Sequence, residues 1–303
     1  MRARAASRAE LCPNGLTVHY VSRPDVAFLY DEVFVQHTYT SHGVVLKPGD
    51  TVFDVGANIG VFALQAASLV SPGGTVICAE PAPEAYAALC DTLAANSTLC
   101  DSVDIRPLNV ALGAGSASTA LLTTYPQAAG WSTLCVDDAE TATNVTAYAQ
   151  LVPLASVVAT APASLRLLLP LLAPLRSTRL YAAAAEHIGR RMLRGSKVVP
   201  CTLFRLSQLL DACIAHVPGF SGVALLKIDV ERAELDVLRG IESREQWARI
   251  QQVVAEVHDI DGRLDAIIAL LSSPLAGFTH VQSAQPASLR GSNLHVVYAT
   301  RLC

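Results

Sequence analysis

From position 51 onward, short runs that are apolar at almost every residue alternate with longer ones in which apolar side chains return every three or four positions. The first kind suits a strand buried on both faces of a parallel sheet, and the second one face of a helix. Residues 51–55 read as a strand and 59–70 as the helix after it, broken by Ser71-Pro72-Gly73-Gly74. Residues 75–79 and 83–95 repeat the pair, with Pro83 in a first turn that has no hydrogen bond to lose, and 103–110 supply a third strand. The alternation resumes with helix 206–216, strand 223–228, helix 233–239, strand 252–257 and helix 264–271. Residues 278–282 and 294–300 form a closing antiparallel pair. Strand and helix alternating at this spacing close as right-handed crossovers between parallel strands. The predicted fold is α/β, a doubly wound, mostly parallel sheet.

Two segments depart from the rhythm. Ahead of the turn at Lys47-Pro48-Gly49-Asp50, residues 1–46 read as an N-terminal cover, with short β-prone pieces around Pro24 in 18–30 and a helix over 31–40 that brings Tyr39 and His42 to the sheet. Within the main domain, 47–303, the stretch at about 137–197 is rich in Ala and Leu and interrupted by Pro153, Pro162, Pro170 and Pro174. It reads as a helical insertion whose Leu-rich part, 165–175, packs on its own domain.

Composition adds bounds. Half of the 303 residues are hydrophobic and 16% are charged, enough apolar material for a sheet covered on both faces. The net charge of −4 gives no basic field, and the Arg190, Arg191 and Arg194 cluster reads as a solvated helix face, so nucleic acid is not an expected partner. No apolar run reaches the roughly 18 residues of a spanning helix, so no membrane span is expected. The opening MRARAASRA has the composition of a transit peptide but is short, and the expected location is cytoplasmic. Eight cysteines without a C-x-x-C pair read as buried thiols in a reducing compartment. Nothing in the pattern sets an oligomeric state.

The chemistry begins where the first strand ends, at Asp54-Val55-Gly56-Ala57-Asn58-Ile59-Gly60. Strand, glycine turn and helix bring a ligand to the carboxyl edge of a parallel sheet, and the helix start offers free N–H groups to a carboxylate. Asp54 at the same edge would answer an ammonium, so the loop suits the zwitterionic methionine end of S-adenosylmethionine. Glu80, ending the second strand, stands where a carboxylate accepts hydrogen bonds from ribose hydroxyls. A nicotinamide oxidoreductase would use the same features, but Asn58 fills the place where that fingerprint needs a second glycine. A non-catalytic module with a partner-binding insertion is the other alternative.

On the acceptor side, Asp229 and Glu231 follow one buried strand, and Glu256 and His258 end the next. His258 is the candidate base for a hydroxyl proton, and Asp229 would orient the acceptor or stabilise the protonated imidazole. Glu231 is the third candidate; Glu231 and Glu234 also fit the plainer role of helix-start charges. The cluster has the residue types of a divalent-ion site, but the preferred reading involves no metal.

The segments VFDVGANIGVFAL, CAEPAPEAYAAL, LLKIDVERAELDVLRGI and VVAEVHDIDGRL, in that order, together with GWSTL at 130–134, make the chain resemble the FkbM family of methyltransferases, particularly its members beside peptide- and polyketide-assembly enzymes. The resemblance implies a class I, Rossmann-like methyltransferase sheet and O-methylation of a hydroxyl on a small-molecule or sugar-like acceptor. It carries Asp54, Gly56, Asn58 and Gly60 over as the methionine-side loop, Glu80 as the ribose partner, and Asn109 and Ala111 as the adenine-side segment. Where many relatives have Asp-Val-Glu-Gly, this chain has Asp229-Val230-Glu231-Arg232, adding bulk and charge at the rim of the site.

Overall fold

The structure is a computed structural model, and it describes residues 8–115, 118–126, 129–135, 195–217, 219–286 and 292–301. Its central sheet is built from β3 (Thr51–Val55), β4 (Thr75–Ala79), β5 (Asp104–Leu108), β9 (Leu225–Ile228), β10 (Gln252–His258), β11 (His280–Ala284) and β12 (Leu294–Thr300). These lie in the order β5-β4-β3-β9-β10-β12-β11. The first five are parallel, and β12 runs antiparallel to both β10 and β11. The chain moves outward from β3 to β5, then returns to the other side of β3 through β9. The switch between β3 and β9 is where such a sheet opens a crevice at its carboxyl edge.

Alternate residues of each strand feed two cores. Phe53, Val55, Leu226, Ile228, Val253 and Ala255 meet α5 (Leu206–His216), α6 (Glu234–Arg239), α7 (Arg244–Ala248) and α8 (Arg263–Leu271) through Leu206, Leu210, Val237, Trp247 and Ile267. Val52, Val76, Leu225 and Val254 face α2 (Val61–Val70) and α3 (Pro83–Ala95), which the short α4 (Ser97–Cys100) follows, through Phe62, Ala63, Ala66 and Leu89. Each large side chain so buried contributes about 1.5–3 kcal/mol.

The N-terminal segment completes the second core. A hairpin of β1 (Arg8–Leu11) and β2 (Thr17–Tyr20) is tied to α3 by Thr92 Oγ1, which accepts from His19 N, and Asn96 Oδ1, which accepts from Thr17 N. Two expectations are corrected here. The β-prone reading of 18–30 holds only for β2, because Pro24 opens a helix, α1 (Arg23–Tyr30), rather than interrupting a strand. The expected helix over 31–40 is a π-helical turn, Asp31–Val35, and a 3₁₀ turn, Thr38–Thr40, separated by His37 in the left-handed region (φ 52°).

A second sheet went unpredicted: β6 (Ala111–Leu112), β7 (Thr119–Thr124) and β8 (Lys197–Phe204), with β8 central. The expected helical insertion, its Leu-rich stretch and the arginine cluster fall almost wholly outside the described residues. Among the described residues no helix is long and apolar enough to cross a membrane, and the seven described cysteines are free thiols, four of them buried.

Candidate active site

The turn after β3 is shaped by a contact that only glycine permits. Gly56 lies at φ 80°, and a Cβ there would stand 1.7 Å from the Asp229 carbonyl oxygen at the end of β9. Gly56 N and Ala57 N both donate to Ala79 O, at 2.9 and 3.1 Å, fastening the turn to β4. Asn58 takes a left-handed conformation (φ 48°) and donates its N–H to Glu80 Oε2 at 2.8 Å; its own Oδ1 is buried without a hydrogen-bond partner. Gly60, at φ 90°, begins α2 where a Cβ would press on Leu89 of α3 at 2.7 Å.

Glu80 accepts a second backbone N–H, from Ala82, at 2.8 Å. Burial pushes its pKa up to about 7, partly offset by the two N–H donors. A cleft of about 560 Å³, its open mouth included, runs past these groups. Gly56, Asn58 and Glu80 line it together with Val110, Ala111 and Leu112 and with Asp229, Val230 and Glu231. Ala129, Gly130, Ser132 and Leu134, mostly from the GWSTL segment, line it too. That segment is pinned at Thr133, which pairs with Thr123 through backbone N–H and carbonyl and whose Oγ1 donates to Glu231 O at 2.5 Å.

Of the ten site residues expected from sequence, six line the cleft: Gly56, Asn58, Glu80, Ala111, Asp229 and Glu231. The other four do not. The Asp54 carboxylate is fully buried and turned toward Lys227, so it is not available to a ligand ammonium. Asn109 spends its Nδ2 on the carbonyls of Glu80 (2.8 Å) and Pro81 (3.1 Å), bracing the loop instead of facing the cleft. Gly60 serves the packing of α2 on α3.

His258 stands behind Glu231. Its Nε2 is 3.1 Å from Glu231 Oε2 and its Nδ1 3.3 Å from Glu234 Oε1. Burial opposes a charge on the ring, but the hydrogen bonds and charges of Glu231 and Glu234 outweigh it and hold the pKa well above the ordinary histidine value. An imidazolium with both nitrogens donating has no lone pair for a substrate proton, so the geometry does not present His258 as a free base. Glu234, also read as a solvated helix-start charge, is fully buried and accepts from Arg232 N at 2.6 Å. Arg232 is likewise not a rim residue: it is buried in a left-handed conformation (φ 82°), and its guanidinium donates to Cys135 O at 3.0 Å.

Sequence reasoning missed the polar network beneath the cleft. Lys227 and Asp54 are direct neighbours in the parallel register of β9 and β3, with 3.0 Å between Nζ and Oδ1. Tyr39 donates its hydroxyl to Asp229 Oδ2 at 3.1 Å. Glu32, from the π-helical turn, meets Tyr39 and Glu256; burial and the Asp229 charge raise its pKa to about 8, with Lys227 opposing. Burial, with Glu32 and Asp229 adding, also raises Glu256 well above the ordinary carboxyl range. The signal was present: Asp54 and Lys227 each interrupt an apolar strand, and a buried charge needs a partner.

A parallel sheet with this strand order, a glycine turn and a second-strand glutamate at its switch point defines a class I S-adenosylmethionine-dependent methyltransferase. The chain belongs to the FkbM family of methyltransferases, matching the Methyltransferase FkbM domain over residues 54–279. It is 36% identical over 293 residues to the 31-O-demethyl-FK506 methyltransferase FkbM of Streptomyces tacrolimicus, covering 95% of each chain. It is 30% identical to a segment making up 12% of the AMB antimetabolite synthetase AmbE of Pseudomonas aeruginosa, a match spanning 95% of this chain. It is 29% identical to Methyltransferase 1 of Beauveria bassiana over 250 residues, 82% of this chain and 80% of that one. The oxidoreductase alternative falls with this membership.

Proposed function

We propose that the chain methylates a hydroxyl oxygen of a small-molecule acceptor, with Glu231 receiving the hydroxyl's proton. One observation carries this reading: Asp229 and Glu231 line the same cleft as Asn58 and Glu80, with the His258 ring 3.1 Å from the Glu231 carboxylate. The name of the Streptomyces relative, an O-demethyl substrate's methyltransferase, supports oxygen as the target atom.

The residues present fit the cofactor. Each Glu80 oxygen takes one backbone N–H and keeps acceptor capacity for ribose hydroxyls, and the orphaned Oδ1 of Asn58 seeks a donor. Val110 and Ala111 would offer the adenine an apolar surface. When bound, S-adenosylmethionine supplies an electrophilic methyl group on a sulfonium. The chain's part is to orient, to exclude water and to take one proton. Asp229, braced by the Tyr39 hydroxyl, orients the acceptor hydroxyl. Glu231 would take the hydroxyl's proton when the methyl group passes to the acceptor oxygen. Burial raises its carboxyl above the ordinary range and His258 opposes that shift, which suits a group that must accept a proton and then release it.

The test is transfer of labelled methyl from S-adenosylmethionine into small-molecule extracts, with the methylated atom assigned by mass spectrometry. Label on oxygen is expected, with turnover reduced about a hundredfold or more in Glu231→Gln while cofactor affinity stays within about threefold. Label on nitrogen, carbon or sulfur, or undiminished turnover in Glu231→Gln, would overturn the proposal.

A further inference from the structure

The chain has three lysines, of which Lys47 and Lys197 are exposed and Lys227 is buried. The Lys227 ammonium is 2.8 Å from Gly56 O, 3.0 Å from Asp54 Oδ1 and 3.5 Å from Asp229 Oδ2. It also sits over the rings of Tyr39 and Phe62, 5.1 and 5.8 Å from their centres. The ammonium donates a hydrogen bond to the Gly56 carbonyl and stands at ion-pair distance from both carboxylates. We propose that Lys227 is a positioning residue for methyl transfer: one buried ammonium holds the Gly56 peptide of the cofactor loop and the Asp229 carboxylate of the acceptor edge in fixed relation, with Asp54 as its counter-ion.

A counter-ion role alone does not account for the arrangement. Balancing Asp54 takes one contact, and a well-packed apolar pair often replaces a buried ion pair without loss of stability. Here the other two contacts go to residues that line the cleft from different strands. The Gly56–Ala57 peptide is thereby held on both sides, its carbonyl by Lys227 and its N–H, that of Ala57, by Ala79 O, which resists a flip of that peptide. Asp229, about a fifth exposed, receives Tyr39 and Lys227 on the same oxygen. Around it stand further acids, Glu32, Glu231 and Glu256, with Lys227 and His258 as the cations that face them.

The inference rests on the cofactor occupying the cleft lined by Gly56, which calorimetry with S-adenosylmethionine on the unsubstituted protein tests first and separately. Protein labelled with ¹⁵N only at lysine then gives the decisive reading. Surface ammonium groups exchange protons with water too fast to be observed near neutral pH, so Lys227 alone should give an ammonium resonance. That resonance is expected to move when S-adenosylmethionine is added, and also in Asp229→Asn without cofactor. Its absence, or a fixed position in either experiment while the cofactor binds by calorimetry, would overturn the proposal.

Two variants separate positioning from filling. Lys227→Met should weaken S-adenosylmethionine binding tenfold or more. Lys227→Met combined with Asp54→Leu, which replaces the pair by apolar side chains, should regain thermal stability yet bind the cofactor as weakly as the single variant. Wild-type affinity in the double variant would reduce Lys227 to a structural counter-ion. Should neither variant fold, the resonance in the unsubstituted protein decides.

Discussion

The imidazole of His258 is shared between two carboxylates, Glu231 at 3.1 Å and Glu234 at 3.3 Å, and this makes it a clamp rather than an acceptor of protons. Removing it leaves Glu234 fully buried without its ring partner. His258→Ala should therefore cost about 3–5 kcal/mol of stability, read from urea denaturation. A loss under about 1 kcal/mol would mean that the ring is not charged in the folded protein.

Glu80 uses one oxygen for each of two N–H donors, from Asn58 and Ala82. In Glu80→Gln the amide NH₂ faces one of those donors, and a charged acceptor for the ribose is lost. S-Adenosylmethionine affinity should fall about tenfold to a hundredfold, in line with the 1.5–3 kcal/mol of a hydrogen bond to a charged group, as calorimetry would show.

Two glycines of the same turn should respond differently to alanine. At Gly56 the new methyl meets the backbone oxygen of Asp229 at 1.7 Å, which cannot yield without moving β9. At Gly60 it meets the tip of the Leu89 side chain at 2.7 Å, which can shift more readily than backbone. Gly56→Ala should lose about 3 kcal/mol or more and measurable cofactor binding, and Gly60→Ala about 1–2 kcal/mol with binding retained. Equal thermal shifts for the two would contradict this account of the turn.

Glu32 sets a pH dependence with a definite sign. Its folded pKa of about 8 lies above the ordinary 4.5, so the folded protein keeps a proton that the unfolded chain has released. The contribution is whole below about pH 4.5 and is lost as pH rises toward 8. Glu80, at about 7, acts in the same direction. The melting temperature should fall between pH 5 and pH 8, and Glu32→Gln, which keeps the shape without the titration, should flatten that fall. An unaltered slope in Glu32→Gln would place the proton elsewhere.

The sheet was legible because its strands are short, apolar on both faces and separated by periodic helices, and the glycine turn because Gly56 and Gly60 sit where one strand ends. The Asp54–Lys227 pairing was not, since it depends on the register of β3 against β9, two strands far apart in sequence and brought together only by the switch in sheet order. The surroundings of His258 were hidden for a related reason. A neutral-range side chain suggests a base until the tertiary fold places two glutamates on its nitrogens. The pieces β7 and β8 escaped because β7, Thr-Ala-Leu-Leu-Thr-Thr, is half threonine and β8 is interrupted by Pro200 and buried only at Cys201, so neither resembles the continuous apolar runs of the main sheet.

The reversed direction of β12 has a practical consequence. It starts opposite His258, at Leu294, and runs back to place Thr300 opposite Gln252. Thr300 therefore lies at the pole of the sheet remote from the glycine turn, so a substitution there probes the sheet's edge without touching the cleft.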